Sequence, residues 1–229
     1  MSLPVLESLK FELTVPSTQK KVQYRAFLVK EEKILLQAQE SKDEKAFLQA
    51  LIDVISACTF GEVDANYLTQ CDLEYIFLQL RAKSVGETAT VTIKCAECDH
   101  DIKINVKLDD VQVTSASTAA DKIMLSATVG ITLRPVQIRH MSGISADDMI
   151  GAIAPIIETI FDEENVHATD EADPKELRAF IENMSHTHIE YIKEFIESQP
   201  KLQHKVTVKC PECGHENEVV LEGLQTFFT

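Results

Sequence analysis

Four of the six cysteines in this 229-residue chain fall into two Cys-x-x-Cys pairs, Cys95/Cys98 and Cys210/Cys213. A tight turn of this spacing aims both sulfurs at one point, so each pair supplies half of a tetrahedral zinc site. A structural zinc needs four ligands, and each pair alone lacks two. The spacing therefore predicts that Cys95, Cys98, Cys210 and Cys213 meet at one structural Zn2+ ion. Four thiolates close the coordination sphere, so the ion would hold the fold rather than act on a substrate, and its binding free energy would be folding free energy. In a reducing compartment, cysteines so spaced point to metal before disulfide.

Three other readings compete with a shared ion. Each pair could recruit the histidine two residues past its second cysteine, His100 or His215, but a fourth ligand would then be missing. A redox dithiol needs a helix N-terminus to depress the thiolate pKa, whereas strand-like residues follow both pairs. Disulfides and unoccupied thiols are the third. The two remaining cysteines stand apart, and Cys58 extends an apolar helix face, as a buried core thiol does.

Each pair sits in a repeated context. Val91-Thr92-Ile93-Lys94-Cys95-Ala96-Glu97-Cys98-Asp99-His100 aligns with Val206-Thr207-Val208-Lys209-Cys210-Pro211-Glu212-Cys213-Gly214-His215, 115 residues later (210 minus 95). Leu73-Glu74-Tyr75-Ile76 matches Ile189-Glu190-Tyr191-Ile192, and Val22 to Phe27 is echoed more faintly by Ile131 to Val136. The order is kept, which predicts an internal duplication: a first copy over 1–108, a linker over 109–121 and a second copy over 122–229. The expected fold class is α+β. Each copy would be a β-hairpin, then helices, then a zinc-knuckle β-hairpin, with the knuckles at 95–98 and 210–213 joined in a zinc-ribbon-like site.

The elements that must position the knuckles follow from local pattern. Phe11 to Val15 and Val22 to Val29 are β-prone runs about a polar turn. A helix is expected from Lys30 to Gln39. Ser41 and Glu44 form a capping-box pattern for the next helix, whose Phe47, Ala50, Leu51, Val54, Ile55 and Cys58 make a buried stripe. Asp72 is a candidate cap for a third helix, with Leu73, Ile76, Phe77 and Leu80 on one face, and Gly86 breaks the chain after it. In the second half, strands are expected at Ile123 to Ala127 and Gly130 to Arg139. An isoleucine-rich helix is expected from Ser145 and Asp148 through Phe161, kinked at Pro155. An exposed acidic loop is expected over 162–173. Asp173-Pro174 starts one helix and Thr187 with Glu190 the last, which carries Ile189, Ile192 and Ile196. His186 and His188 at that start read as polar surface.

Charge bounds the partners. Against 37 acidic residues stand 22 basic ones, a formal net charge of -15. Such a surface repels nucleic-acid phosphates and anionic membrane leaflets, and leaves neutral or basic protein surfaces as partners. No apolar run approaches the roughly 18 residues of a membrane span, and the N-terminus lacks the pattern of a secretory signal. A cytoplasmic protein is expected. No phosphate loop, nucleophile elbow or metalloprotease helix occurs, so no enzyme is expected.

Leu3-Pro4-Val5-Leu6-Glu7, Val15-Pro16-Ser17-Thr18 and Tyr24-Arg25-Ala26-Phe27-Leu28-Val29-Lys30-Glu31-Glu32-Lys33 resemble the opening of the T4-type baseplate hub assembly proteins of contractile-tailed phages. The resemblance implies a viral tail protein made late in infection. It would be a structural subunit of the baseplate hub or a chaperone for it, with hub proteins as partners. It would work in the host cytoplasm during assembly, with the virion baseplate as a destination. It supplies no interface residues, though Phe227-Phe228 after Leu224 is a candidate contact. The alternative is a zinc-ribbon nucleic-acid-binding regulator, with Lys94 and Lys209 beside the knuckles.

Overall fold

The computed structural model describes residues 7–114, 120–141 and 148–223. The opening at 3–6, part of the linker, Ser145 and the Phe227-Phe228 tail lie outside the described residues. The described chain up to Thr114, with that from Lys201 onward, forms one compact unit, and the chain between, up to Pro200, forms a second.

The first unit begins with an antiparallel hairpin of β1 (Lys10–Thr14) and β2 (Lys21–Arg25). Helices α1 (Val29–Ser41), α2 (Glu44–Cys58) and α3 (Gln70–Ser84) follow. The expected α2 stripe is buried at Ala50, Leu51, Val54, Ile55 and Cys58, because residues three and four apart share a helix face. The cap of α2 is Asp43 rather than Ser41: Lys42 turns left-handed at φ 55, and the Asp43 carboxylate then accepts from the Lys45 and Ala46 N–H groups. The cap of α3 is Thr69, and Asp72 is its reciprocating third residue. Asp72 also accepts from the N–H and hydroxyl of Ser17, at 2.9 and 2.5 Å, which ties the β1–β2 turn to α3.

After α3 the chain passes Gly86 at φ 142 and forms the β3 (Thr88–Lys94) and β4 (Asp101–Lys107) hairpin, then the short β5 (Gln112–Val113).

The second unit is built on a four-stranded antiparallel sheet in the order β6-β7-β8-β9. Its strands are β6 (Lys122–Met124), β7 (Gly130–Leu133), β8 (Ile157–Phe161) and β9 (Val166–Ala168). Helix α4 (Ile138–Met141) and α5 (Met149–Ile153) lie between β7 and β8, and α6 (Pro174–Glu182) and α7 (His186–Glu197) follow β9. The expected isoleucine-rich helix from Ser145 and Asp148 through Phe161 does not form as one element. Asp148 does cap α5, but the helix ends at Ile153, a short 3-10 turn carries Pro155, and Ile157–Phe161 is an interior strand. Proline cannot extend the helix, and the β-branched Ile-Glu-Thr-Ile run suits the ladder with β7 and β9. The expected acidic loop is likewise a turn at Asp162 leading into β9. Asp173 caps α6 as expected, whereas α7 is capped by Ser185 in place of Thr187. Ile189, Ile192 and Phe195 face the core, and Ile196 is exposed.

The chain re-enters the first unit beside the point where it left: the Thr114 N–H donates to Lys201 O, and the Lys201 N–H to Thr114 Oγ1, both at 2.9 Å. Strand β10 (Leu202–Lys209) then pairs with β5 on one side and with β11 (Glu216–Glu222) on the other. The copies expected over 1–108 and 122–229 do not coincide with the compact units, since the second knuckle hairpin folds into the first unit. One core joins the two hairpins: Ala89, Val91, Ile93, Ile102 and Val106 from β3–β4, with Leu202 and Leu221 from β10–β11, packed with Leu78 of α3. Hydrophobic burial along alternate residues therefore sets both knuckles at one end of a common core.

Candidate metal centre

Both knuckles are closed by the same backbone device. The Cys95 N–H donates to His100 O at 2.9 Å and the Asp99 N–H to Cys95 O at 3.0 Å. In the second knuckle the Cys210 N–H donates to His215 O at 2.8 Å and the Gly214 N–H to Cys210 O at 3.0 Å. Each turn needs a left-handed residue at its fifth position, Asp99 at φ 56 and Gly214 at φ 76. Glycine takes that conformation without steric cost, and aspartate is among the side chains that tolerate it.

The two turns meet tip to tip. Cys95 Sγ lies 3.6 Å from Cys213 Sγ, and Cys98 Sγ lies 3.7 Å from Cys210 Sγ. All four sulfurs fall within 4.8 Å of one another. A tetrahedron with zinc–sulfur bonds near 2.3 Å has sulfur–sulfur edges of about 3.8 Å. The donor set and its spacing therefore fit one tetrahedral ion. The first cysteine of each knuckle is buried, and the second, Cys98 or Cys213, is exposed.

Electrostatics favours a cation at this point. Burial pushes the Cys95 thiol up, but the Glu97 and Cys98 N–H groups, the Asn217 amide and the Cys213 thiol outweigh it and lower it to about 6. Cys98 gains the His100 N–H, which lowers it, yet Cys213, burial, Cys210 and Cys95 together push it up to about 12. Cys213 is raised as well, although the His215 N–H and Cys98 pull the other way. The Cys95 sulfur ionises readily while Cys98 and Cys213, hydrogen-bonded to the sulfurs around them, resist; a divalent cation removes the penalty of bringing thiolates together.

Asn217 carries none of the motifs that mark the site in the sequence. Its side chain, only 4% exposed, reaches from β11 to the opposite knuckle. Its Oδ1 accepts from the Ala96 N–H at 2.9 Å, and its Nδ2 donates to Cys95 Sγ at 3.6 Å and to His215 O at 3.2 Å. The available signal was register: Asn217, Val219 and Leu221 alternate inward on β11, so a polar residue there faces the core.

Residues 8–229 match the family described as T4 bacteriophage base plate protein. The chain belongs to that family. It is 26% identical over 221 residues to the baseplate hub assembly protein gp26 of Enterobacteria phage T4, covering 96% of this chain and 97% of that protein. No solved structure matches it.

In this member of the base plate family, the four cysteines cluster without any histidine ring among the described residues. His100 and His215 are exposed and serve their knuckles through their backbone carbonyls and N–H groups. His188 Nδ1 accepts from the Ser185 N–H as part of the α7 cap, and His186 lies beside Glu190. Cys58 and Cys71 are buried elsewhere in the first unit, and burial pushes their thiols up to about 11 and about 12. They are core residues with little thiolate character. Among the described residues no helix is long and apolar enough to cross a membrane.

Proposed function

We propose that this base plate family protein is a non-enzymatic assembly component of the phage baseplate hub, stapled by one structural zinc ion on Cys95, Cys98, Cys210 and Cys213. The observation that carries the metal reading is the four-sulfur cluster at tetrahedral spacing, between residues 112 and 118 positions apart. Zinc bound there neutralises the clustered thiolates and links two hairpins that share one core. The near end-to-end similarity to a baseplate hub assembly protein supports the biological role. Four thiolates fill the coordination sphere and leave no position for substrate, which favours a binding protein over a metalloenzyme.

The nucleic-acid regulator is the weaker reading. Lys94 is engaged by Asp101 at 3.2 Å, and Lys209 stands opposite Glu216 in the β10–β11 ladder. With a net charge of -15, the knuckles offer no basic stripe for a phosphate backbone.

Quantitative mass spectrometry of purified phage particles and of infected-cell lysate, scaled to a hub subunit, tests the role. A fixed small ratio in particles makes the protein a hub subunit. Abundance in lysate and hub intermediates with absence from particles makes it an assembly chaperone. Absence from both hub intermediates and particles overturns the baseplate reading.

A further inference from the structure

We infer that Asn217 is a positioning residue of the metal centre, which locks the first knuckle to the second hairpin and bonds directly to one ligand sulfur. This rests on the reading of the four cysteines as a metal site, and goes beyond it by assigning a fifth residue and an asymmetry to the centre.

The geometry is specific. Asn217 uses both ends of its amide across the junction: Oδ1 takes the Ala96 N–H inside the Cys95–Cys98 turn, and Nδ2 faces Cys95 Sγ while also holding His215 O of its own knuckle. The carboxamide is thus a bridge from β11 to the other turn. Its bonds to Ala96 and His215 do not depend on a metal. They hold Cys95 beside Cys213 and Cys210 in advance, so less ordering remains to be done when a cation binds. The N–H···S bond withdraws charge from the Cys95 sulfur, which makes that ligand electronically unlike the other three.

Comparison of the two hairpins sharpens the point. The residue 115 positions before Asn217 is Ile102 of β4, which pairs with Ile93 of β3 just as Asn217 of β11 pairs with Val208 of β10. Ile102 is buried and apolar, and can make no such bond to the second knuckle. A buried polar side chain at a position where an isoleucine fits its counterpart is costly unless it is fully bonded, and here both ends of the amide are used. The clamp therefore acts from one side only, and Cys95 is the sulfur it controls.

Two measurements test this. In the cadmium-loaded wild-type protein, the Asn217 side-chain amide protons should show scalar coupling to the bound cadmium nucleus through Cys95 Sγ. In cobalt titrations, Asn217→Ile, which copies the residue of the other hairpin, and Asn217→Ala, which adds no bulk, should each bind about 10–100-fold more weakly than wild type. Both should also shift the sulfur-to-cobalt charge-transfer band to lower energy, a change that loosened packing alone would not give. Absence of the coupling, or folded variants with wild-type affinity and an unshifted band, overturns the inference while leaving the metal site standing. A wild-type protein that gives no tetrahedral thiolate–cobalt spectrum overturns the metal reading itself, and the role of Asn217 with it.

Discussion

Cys98 Sγ and Cys210 Sγ lie 3.7 Å apart although 112 residues separate them. That approach makes the two knuckles one structural unit, and it locates where metal removal should be felt. The hairpins share a core of modest side chains, and four clustered sulfurs without a cation repel as they ionise. Structural zinc contributes on the order of 10 kcal/mol in small sites near neutral pH. Chelation, or Cys98→Ser, is expected to raise amide hydrogen exchange in β3, β4, β10 and β11 together, and to lower the melting temperature. Exchange confined to one hairpin would contradict a shared ion.

Arg25 and Glu31 form a buried ion pair in the first unit, at 3.0 Å with side chains 10% and 4% exposed. Arg25 also donates to the carbonyls of Ala26 and Ala57, and Glu31 Oε2 accepts from the Leu28 N–H. Glu31→Ala would leave the guanidinium buried without its anion, at a cost of about 3 kcal/mol. The double variant Arg25→Met, Glu31→Leu should recover much of that loss, because neither charge is then stranded. The pH dependence has a definite sign. Burial raises the Glu31 carboxyl, but bonds from Arg25 and Leu28 and the charges of Arg25 and Lys30 outweigh it and leave it lowered. The pair therefore stabilises fully above the unfolded carboxylate range, near about 4.3, and its contribution is lost as pH falls through the lowered native value. Urea unfolding of wild type and variant at neutral and acid pH should show the difference shrinking on acidification.

The parts of the fold readable from the sequence are those fixed by local pattern. Ala50, Leu51, Val54, Ile55 and Cys58 repeat at helical spacing, so their shared burial follows from one element alone. The two Cys-x-x-Cys turns carry their own closing geometry, and repetition of their flanks indicated hairpins on both. Residues 149–161 defeated the same reasoning. Their isoleucines recur at helix-like intervals, but Ile157–Phe161 takes its conformation from flanking strands β7 and β9, which no local window contains. Helix caps were displaced by two or three residues at Ser41, Asp72 and Thr187, because several serines, threonines and aspartates crowd each start; at α3 the bonds from Ser17 also hold Asp72 at the third helical position. Asn217 escaped notice for a related reason: its importance lies in Ala96 and Cys95, which are 121 and 122 residues away.

Glu74 gives a pH dependence of the opposite sign. It is 7% exposed on α3, and its Oε1 accepts only a neutral bond from Gln70 at 2.9 Å. Burial raises its carboxyl above the usual range, the Gln70 bond offsets part of this, and the charge of Glu222 adds to the rise. The ionised form is thus disfavoured in the folded state, so Glu74 destabilises at neutral pH and this penalty fades as pH falls through its raised native value. Glu74→Gln should raise the urea midpoint at pH 7, with a gain that diminishes on mild acidification. A variant less stable than wild type at pH 7 would mean that the carboxylate has a favourable role.

Gly130 tests the packing of the second unit. It is buried at the start of β7, opposite Met124 on β6 and Phe161 on β8. A Cβ at this position would collide with the Phe161 ring and would stand 2.9 Å from the backbone carbonyl of Ile123. The ring is itself held, with the Lys122 ammonium 4.4 Å from its centroid. The backbone contact cannot be relieved by a rotamer change, so an added methyl must shift β6 or β8. Overpacking of this kind costs about 1–3 kcal/mol. Gly130→Ala is expected to lower the urea midpoint by a corresponding amount and to raise hydrogen exchange along β6, β7 and β8, with the cobalt spectrum of the four cysteines unchanged. Gly130→Ala combined with Phe161→Leu, which removes the ring edge that the methyl would strike, should recover part of the loss. If the double variant is no better than the single one, the collision with Ile123 O is the dominant cost.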